Sequence, residues 1–259
     1  MSTLRLLSYN IRYGGIGRED ALASTIAACD PDLVLLQEAT DAGTIERVAE
    51  RARMGQWATF KRQSLGFLSR HPVDHFEWHR PRFSRHAFLD IVPAGTSIRF
   101  FGVHLSAVHA AWTERRRLFE IRALLRSVER HQPGFHVLAG DFNTLAPGEL
   151  LDFRKLPHRL RALVWLSGGR VRWRTIQMVL DAGYTDVFRR LHPDDPGFSF
   201  PTWDPHARLD FVFTPQRHHF RIARCEVVRT PDAVSASDHF PIAADVELDA
   251  LAAGLPGTD

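Results

Sequence analysis

Six places along the chain set an oxygen- or imidazole-bearing side chain at, or just past, a short apolar run. Asn10 closes Leu6-Leu7-Ser8-Tyr9, Glu38 follows Leu33-Val34-Leu35-Leu36-Gln37, and His104 ends Phe100-Phe101-Gly102-Val103. Asp141 and Asn143 follow Val137-Leu138-Ala139-Gly140, Asp210 lies in Arg208-Leu209-Asp210-Phe211-Val212-Phe213, and Asp238-His239 precede Phe240-Pro241-Ile242. Apolar runs of this length read as buried strands, which ordinarily end in unremarkable loop residues. Here they end repeatedly in carboxylates, amides and imidazoles. Carboxylate and amide oxygens suit a hard divalent cation, and histidines carry protons near neutral pH. Strand ends gathered at one sheet edge would bring such groups together.

The elements needed to carry them can be traced along the chain. After the first strand comes a turn-rich Gly14-Gly15-Ile16-Gly17, then a helix expected over 19–28 and stopped by Asp30-Pro31. A strand over 33–36 delivers Glu38, and a second helix is expected over 44–53. Short strands follow at 66–69, 73–76 and 87–92, with Pro93-Ala94-Gly95-Thr96 as a hairpin turn into 97–103. The clearest helix is Trp112 to Arg130, where Leu118, Ile121, Leu125 and Val128 form one stripe. Strands return at 135–139, 209–213, 226–228 and 242–248. No simple alternation of strand and helix fits this order. Two packed sheets with helices outside them fit it better.

The 259 residues, 44% of them hydrophobic, are enough for a large core and are read as a single domain over 1–250 with a disordered tail at 251–259. No run of 18 uncharged apolar residues exists, and the N-terminus lacks the basic and apolar regions of a signal peptide. Cys29 and Cys225 provide no disulfide framework. These features point to a cytoplasmic protein. A net charge of +3 is compatible with a polyanionic substrate without requiring one.

Taken together, in this order and spacing, the motifs resemble the endonuclease/exonuclease/phosphatase superfamily with its deoxyribonuclease I-like fold. The resemblance runs from Tyr9-Asn10-Ile11 to Ser237-Asp238-His239-Phe240-Pro241-Ile242 and includes Gly66-Phe67-Leu68-Ser69-Arg70-His71-Pro72-Val73. It implies an α/β four-layer sandwich, two packed mixed β-sheets flanked by helices, and hydrolysis of phosphate esters with Mg²⁺ or Mn²⁺. Such a reaction must stabilise charge on phosphorus, orient a water in line with the leaving oxygen and manage a proton at each end.

Glu38 is the foremost metal ligand on this reading, and the resemblance places Asn10 and Asp238 beside it. Asp141 and Asn143 are one residue apart, so in an extended segment they would share a face, the carboxylate orienting water and the amide holding a phosphoryl oxygen. The resemblance pairs Asp210 with His239 and sets His104 across the phosphate from it. His239 would then act either as base or as cationic clamp. Arg85 matches a position that contacts phosphate, and Thr202 one that hydrogen-bonds the site. The resulting expectation is a metal-dependent phosphodiesterase with nuclease activity. A sphingomyelinase-like hydrolase of phospholipid headgroups is the main alternative. The intact set of site residues opposes a third class, a non-catalytic binding protein, because such groups act as a unit.

Residues 151–174 depart most from the minimal pattern. They carry seven basic residues against one acid, interleaved with Trp165, Trp173 and several aliphatics, and broken by Gly168-Gly169. This insertion could grip a nucleic-acid backbone, rest on an anionic membrane surface, or simply pack as a helical hairpin. No protein partner can be inferred.

Overall fold

The structure, a computed structural model, describes residues 3–61, 63–81, 84, 86–107, 111–131, 134–150, 152–155, 161 and 173–248. Arg85, most of the 151–174 insertion and the 251–259 tail therefore lie outside the described residues.

Two six-stranded mixed sheets form the centre. The first contains β1 (Thr3–Asn10), β2 (Leu33–Gln37), β3 (Gln56–Thr59), β4 (Leu65–Ser69), β11 (Ile222–Val227) and β12 (Ile242–Glu247), in the order β11-β12-β1-β2-β4-β3. The second contains β5 (Val73–His79), β6 (Phe88–Pro93), β7 (Arg99–His104), β8 (His136–Asp141), β9 (Tyr184–Asp186) and β10 (Asp210–Pro215), in the order β5-β6-β7-β8-β10-β9. The helices are α1 (Glu19–Cys29), α2 (Ala42–Arg51), α3 (Ala111–His131), α4 (Arg174–Asp181), α5 (Val187–Leu191) and α6 (Pro231–Ala236).

Three packing clusters define the layers. Leu35, Phe67, Ile91, Phe100, Val137 and Val212 fill the space between the sheets. Tyr9, Leu22, Ile26, Val34, Ile45 and Val48 join the first sheet to α1 and α2. Val103, Ile121, Leu124, Val128, Ile176 and Phe211 join the second sheet to α3 and α4. The central strands are covered on both faces, which is why they read as continuous apolar runs. Cys29 and Cys225 are both buried, in different clusters. Among the described residues no helix is long and apolar enough to cross a membrane.

The strands expected from the sequence are present, with ends moved by a few residues. Elements not anticipated are β3, β9, α4, α5 and α6. Most are too short to show a period, but α6 carried a signature: Thr230 caps it by accepting from the Ala233 amide at 3.2 Å, and Pro231 begins it. The long helix also differs in detail. Leu118 is only partly buried, whereas Glu114, Arg117 and Glu120 are buried within the protein.

Candidate active site

Strand pairing places the site. β1 and β2 run parallel, with Asn10 opposite Gln37 at their ends and Glu38 next in the chain. β7 and β8 also run parallel, with His104 opposite Asp141, and β10 pairs antiparallel to β8 with Asp210 opposite Asp141. His104, Asp141 and Asp210 thus form one row across the second sheet. Gly140 makes the row possible: its φ is 153°, and a Cβ there would collide with the Val103 carbonyl oxygen of the neighbouring strand.

Asp141 is the centre of the cluster. Its Oδ2 accepts from Asn10 Nδ2 and from Asn143 Nδ2, each at 3.0 Å, and its Oδ1 accepts from the Asn143 amide at 2.8 Å. His239 Nε2 and His104 Nε2 each stand 3.9 Å from the same Oδ2. The segment is not extended as the sequence suggested. Asn143 adopts a left-handed φ of 51°, and a side-chain turn, rather than strand alternation, brings its amide onto Asp141.

Asp210 accepts from His239 Nδ1 at 2.8 Å and from the Ser199 hydroxyl at 2.6 Å, both on Oδ2. Burial opposes a charged His239, but the carboxylates of Asp210 and Asp141 outweigh it and raise its pKa, favouring the imidazolium. Burial likewise pushes the Asp141 carboxyl well above the usual carboxylate range, although the His239 charge pulls it down. His104 Nδ1 pairs with the Ser64 hydroxyl at 2.9 Å, which leaves Nε2 directed at Asp141.

Glu38 and Asp238 lie nearer solvent. Glu38 has a left-handed φ of 59°, its Oε2 accepts from the Tyr13 amide at 2.6 Å, and its Oε1 is 3.4 Å from Asn10 Nδ2. Asp238 Oδ2 is 3.4 Å from Arg12 Nε. Thr202 holds this edge in place: its amide donates to the Asp238 carbonyl at 3.0 Å and its hydroxyl to the Ser237 carbonyl at 2.8 Å. Ser237 in turn donates to the Asn10 carbonyl at 2.6 Å, joining the last loop to the first strand.

A divalent ion could find ligands in two places. Donor atoms of Asp141, Asp210 and His239 lie within 4.8 Å of one another. In that buried group, however, Nδ1 of the imidazole is already committed to Asp210, and the ring favours its charged form. At the mouth stand the carboxylates of Glu38 and Asp238 and the amide of Asn10, whose oxygen accepts from the Arg12 amide at 3.0 Å; oxygens of these types suit a hard cation that retains part of its water shell.

Several supporting residues were not found from sequence. Ser64 orients His104, and Ser199 orients Asp210. Glu120 accepts from the Ser106 amide at 3.1 Å and hydroxyl at 3.0 Å, while Arg117 donates to the Ser106 carbonyl at 2.8 Å and pairs with Glu114 at 3.0 Å. This buried group grips the exit of β7. Just before Ser106, the Leu105 carbonyl accepts from Asn143 Nδ2 at 3.0 Å. The charged positions 114, 117 and 120 recur at helical spacing, a signal easily taken for a solvated face.

The profile of the Endonuclease/Exonuclease/phosphatase family matches residues 7–239, spanning every one of these groups. The chain belongs to this family. The reaction shared by the family is hydrolysis of phosphate esters, and its members use divalent metals. Comparison with curated proteins gives no match. Among solved structures, an AP endonuclease from Archaeoglobus fulgidus superposes with a TM-score of 0.72 at 17% identity, covering 93% of this chain and 98% of that one. A 3'-5' exonuclease from Neisseria meningitidis gives 0.70 at 19% identity, covering 94% and 100%. D. rerio TDP2 complexed with single-strand DNA product gives 0.66 at 18%, covering 95% and 99%. At these identities the likeness establishes the shared fold, the deoxyribonuclease I-like pair of sheets, and leaves the choice of substrate to each member.

Proposed function

We propose that this family member is a phosphodiesterase with nuclease activity that depends on Mg²⁺ or Mn²⁺. The observation that carries this reading is the buried Asp210–His239–Asp141 chain, flanked by two amides and a second imidazole, at an edge shared by both sheets. Glu38, Asp238 and Asn10 would hold the ion. When bound, it supplies positive charge that offsets the negative charge gathering on the phosphate oxygens.

The chain's own groups do the remaining work. The imidazolium of His239 directs Nε2 toward the space in front of Asp141, where it binds a phosphoryl oxygen as a cationic clamp. His104, its Nδ1 taken by Ser64, presents Nε2 to the same space. Asn143 adds an amide donor. Asp141, whose burial raises its affinity for a proton, orients the attacking water and takes its proton as oxygen bonds to phosphorus. The ester oxygen opposite leaves with the bonding pair and takes a proton from solvent. Arg85 would add a phosphate contact, and Thr202 keeps Asp238 in position.

Nucleic acid is the diester that best fits the mildly basic chain and the cationic groups near the mouth. The D. rerio TDP2 structure, solved with single-strand DNA product, adds support by analogy. An activity screen tests the reading. Bis-p-nitrophenyl phosphate, p-nitrophenyl phosphate, plasmid DNA, single-stranded RNA and sphingomyelin vesicles are each incubated with Mg²⁺, Mn²⁺ or EDTA. Cleavage of nucleic acid and the small diester, abolished by EDTA, is expected. Turnover of sphingomyelin alone, or of the monoester alone, would overturn it.

A further inference from the structure

Two large aromatic side chains stand out in solvent beside the site. Tyr13 is 76% exposed and Trp203 64% exposed. Neither supports the core, yet both are held close to the reacting groups. The Tyr13 amide donates to Glu38 Oε2 at 2.6 Å, and its neighbour Arg12 reaches Asp238 at 3.4 Å. Arg12 and Tyr13 are consecutive non-glycine residues at positive φ, 51° and 48°, a strained backbone that persists only where its surroundings fix it. Arg18 fixes it, donating to the carbonyls of both Arg12 and Ala236.

On the other side, Trp203 follows Thr202, whose amide donates to the Asp238 carbonyl. Its ring centroid is 6.5 Å from that of Phe200, and the Phe200 centroid is 4.8 Å from that of His239. A short ladder of rings thus leads from solvent to the buried imidazole. Charged groups accompany both aromatics. The Arg12 guanidinium lies 5.5 Å from the Tyr13 ring centre, and Lys155 pairs at 2.7 Å with Asp204, the residue after Trp203.

An exposed ring flanked by charge suits a planar partner attached to an anionic backbone. A lipid anchor would gather its rings with several exposed aliphatic neighbours, whereas within five residues of Tyr13 or Trp203 Ile16, 63% exposed, is the one exposed large aliphatic among the described residues. We infer that Tyr13 and Trp203 are stacking platforms for the bases on either side of the scissile phosphate of a single-stranded nucleic acid. Unpaired strands fit because their base faces are free, whereas duplex stacking already covers them. The inference rests on the nuclease reading and adds to it the strand state and two residues that select it.

Fluorescein-labelled single-stranded dT10, titrated in EDTA so that no turnover occurs, measures binding by anisotropy. Tyr13→Ala and Trp203→Ala should each weaken binding about tenfold, since one stacked base is worth about that factor or more. Tyr13→Phe and Trp203→Phe should restore it, and a blunt duplex should be indifferent to all four changes. With Mg²⁺ present, the alanine variants should raise KM for the oligonucleotide and leave kcat near wild type. If dT10 binds and the alanine variants bind it equally well, this inference fails while the nuclease reading stands. If the wild type neither binds nor cleaves any nucleic acid, both fail. Loss of binding to sphingomyelin vesicles in the alanine variants, with dT10 binding unchanged, would assign the rings to lipid and overturn the inference.

Discussion

Asp210 and His239 share one hydrogen bond, Oδ2 to Nδ1 at 2.8 Å, and the Ser199 hydroxyl locks the same oxygen from the other side. The pairing fixes which ring nitrogen faces the reaction and keeps a positive charge in a buried place. His239→Ala and Asp210→Asn should each lower kcat by about 10²–10⁴. Because they disable the same device, the double variant should be little worse than the poorer single one. Kinetics on bis-p-nitrophenyl phosphate measure the cycle. Full additivity would show that the two residues act separately.

Glu38→Gln should preserve the fold, since the Tyr13 amide keeps an oxygen acceptor, but it removes a charge from the proposed ligand set. Affinity for Mg²⁺ or Mn²⁺ should fall by about 10–100-fold or more, as even less direct changes at metal sites do. Isothermal titration calorimetry of the apoprotein reads this directly. Unchanged affinity would move the metal site away from Glu38, with the buried Asp141–Asp210–His239 group as the next place to look.

Glu120 is fully buried, holds the Ser106 amide and hydroxyl and faces Arg117. Glu120→Ala takes the acceptor from the buried Ser106 amide and hydroxyl and removes one of the carboxylates, after Glu114, that favour the Arg117 charge, so stability should drop by about 1–3 kcal/mol. Below the new melting temperature, kcat should fall with KM little changed, because His104 and the Leu105 carbonyl that holds Asn143 lose their anchor. Glu120→Gln, which keeps an acceptor, should recover much of both. Urea unfolding together with steady-state kinetics separates the effects. A destabilised Glu120→Ala with full kcat would limit the cluster to packing.

His136 opens β8, at the opposite end from Asp141. Its Nδ1 donates to the Gly134 carbonyl at 2.8 Å, so Nε2 accepts from the Tyr184 hydroxyl at 2.7 Å. Burial lowers its pKa from 6.5 to about 4. Between those values the unfolded chain carries a proton that the folded chain does not, so stability should rise with pH across this window and flatten above it. The contribution is on the order of 3 kcal/mol. His136→Asn, which keeps the donor to Gly134, should remove that part of the slope. Urea melts at pH 4.5 and pH 7 provide the comparison, and an equal slope in both proteins would clear His136 of the effect.

The candidate site residues stand out in the sequence through one regularity: apolar runs with a polar residue at the end. That works for Asn10, His104 and Asp141 because strand pairing sets those ends level. It conveys nothing about the left-handed turns at Glu38 and Asn143, since neither residue type demands such a φ. Ser64 and Ser199 were invisible for another reason. They are common residues in loops, and only folding brings them to His104 and Asp210. The stripe read on α3 included Leu118, which is only partly buried, and left out Glu114, Arg117 and Glu120, whose burial follows from tertiary partners such as Ser106 and Thr175. Short elements such as β9 and α5 offer too few residues for a period.

The bond from Asn10 to Asp141 spans 131 residues of chain, and that from Ser237 to the Asn10 carbonyl spans 227. Contacts of such separation form late and slowly, because distant parts of the chain must first be confined together. The candidate site therefore closes only when segments as far apart in the chain as Asn10 and Ser237 meet. A growing chain with its first strand, its Glu38 and even its Asp141 already synthesised still lacks Asp238 and His239. On the proposed nuclease reading, a partly folded chain that already holds Glu38 and Asp141 is inert toward nucleic acid until Ser237 reaches Asn10.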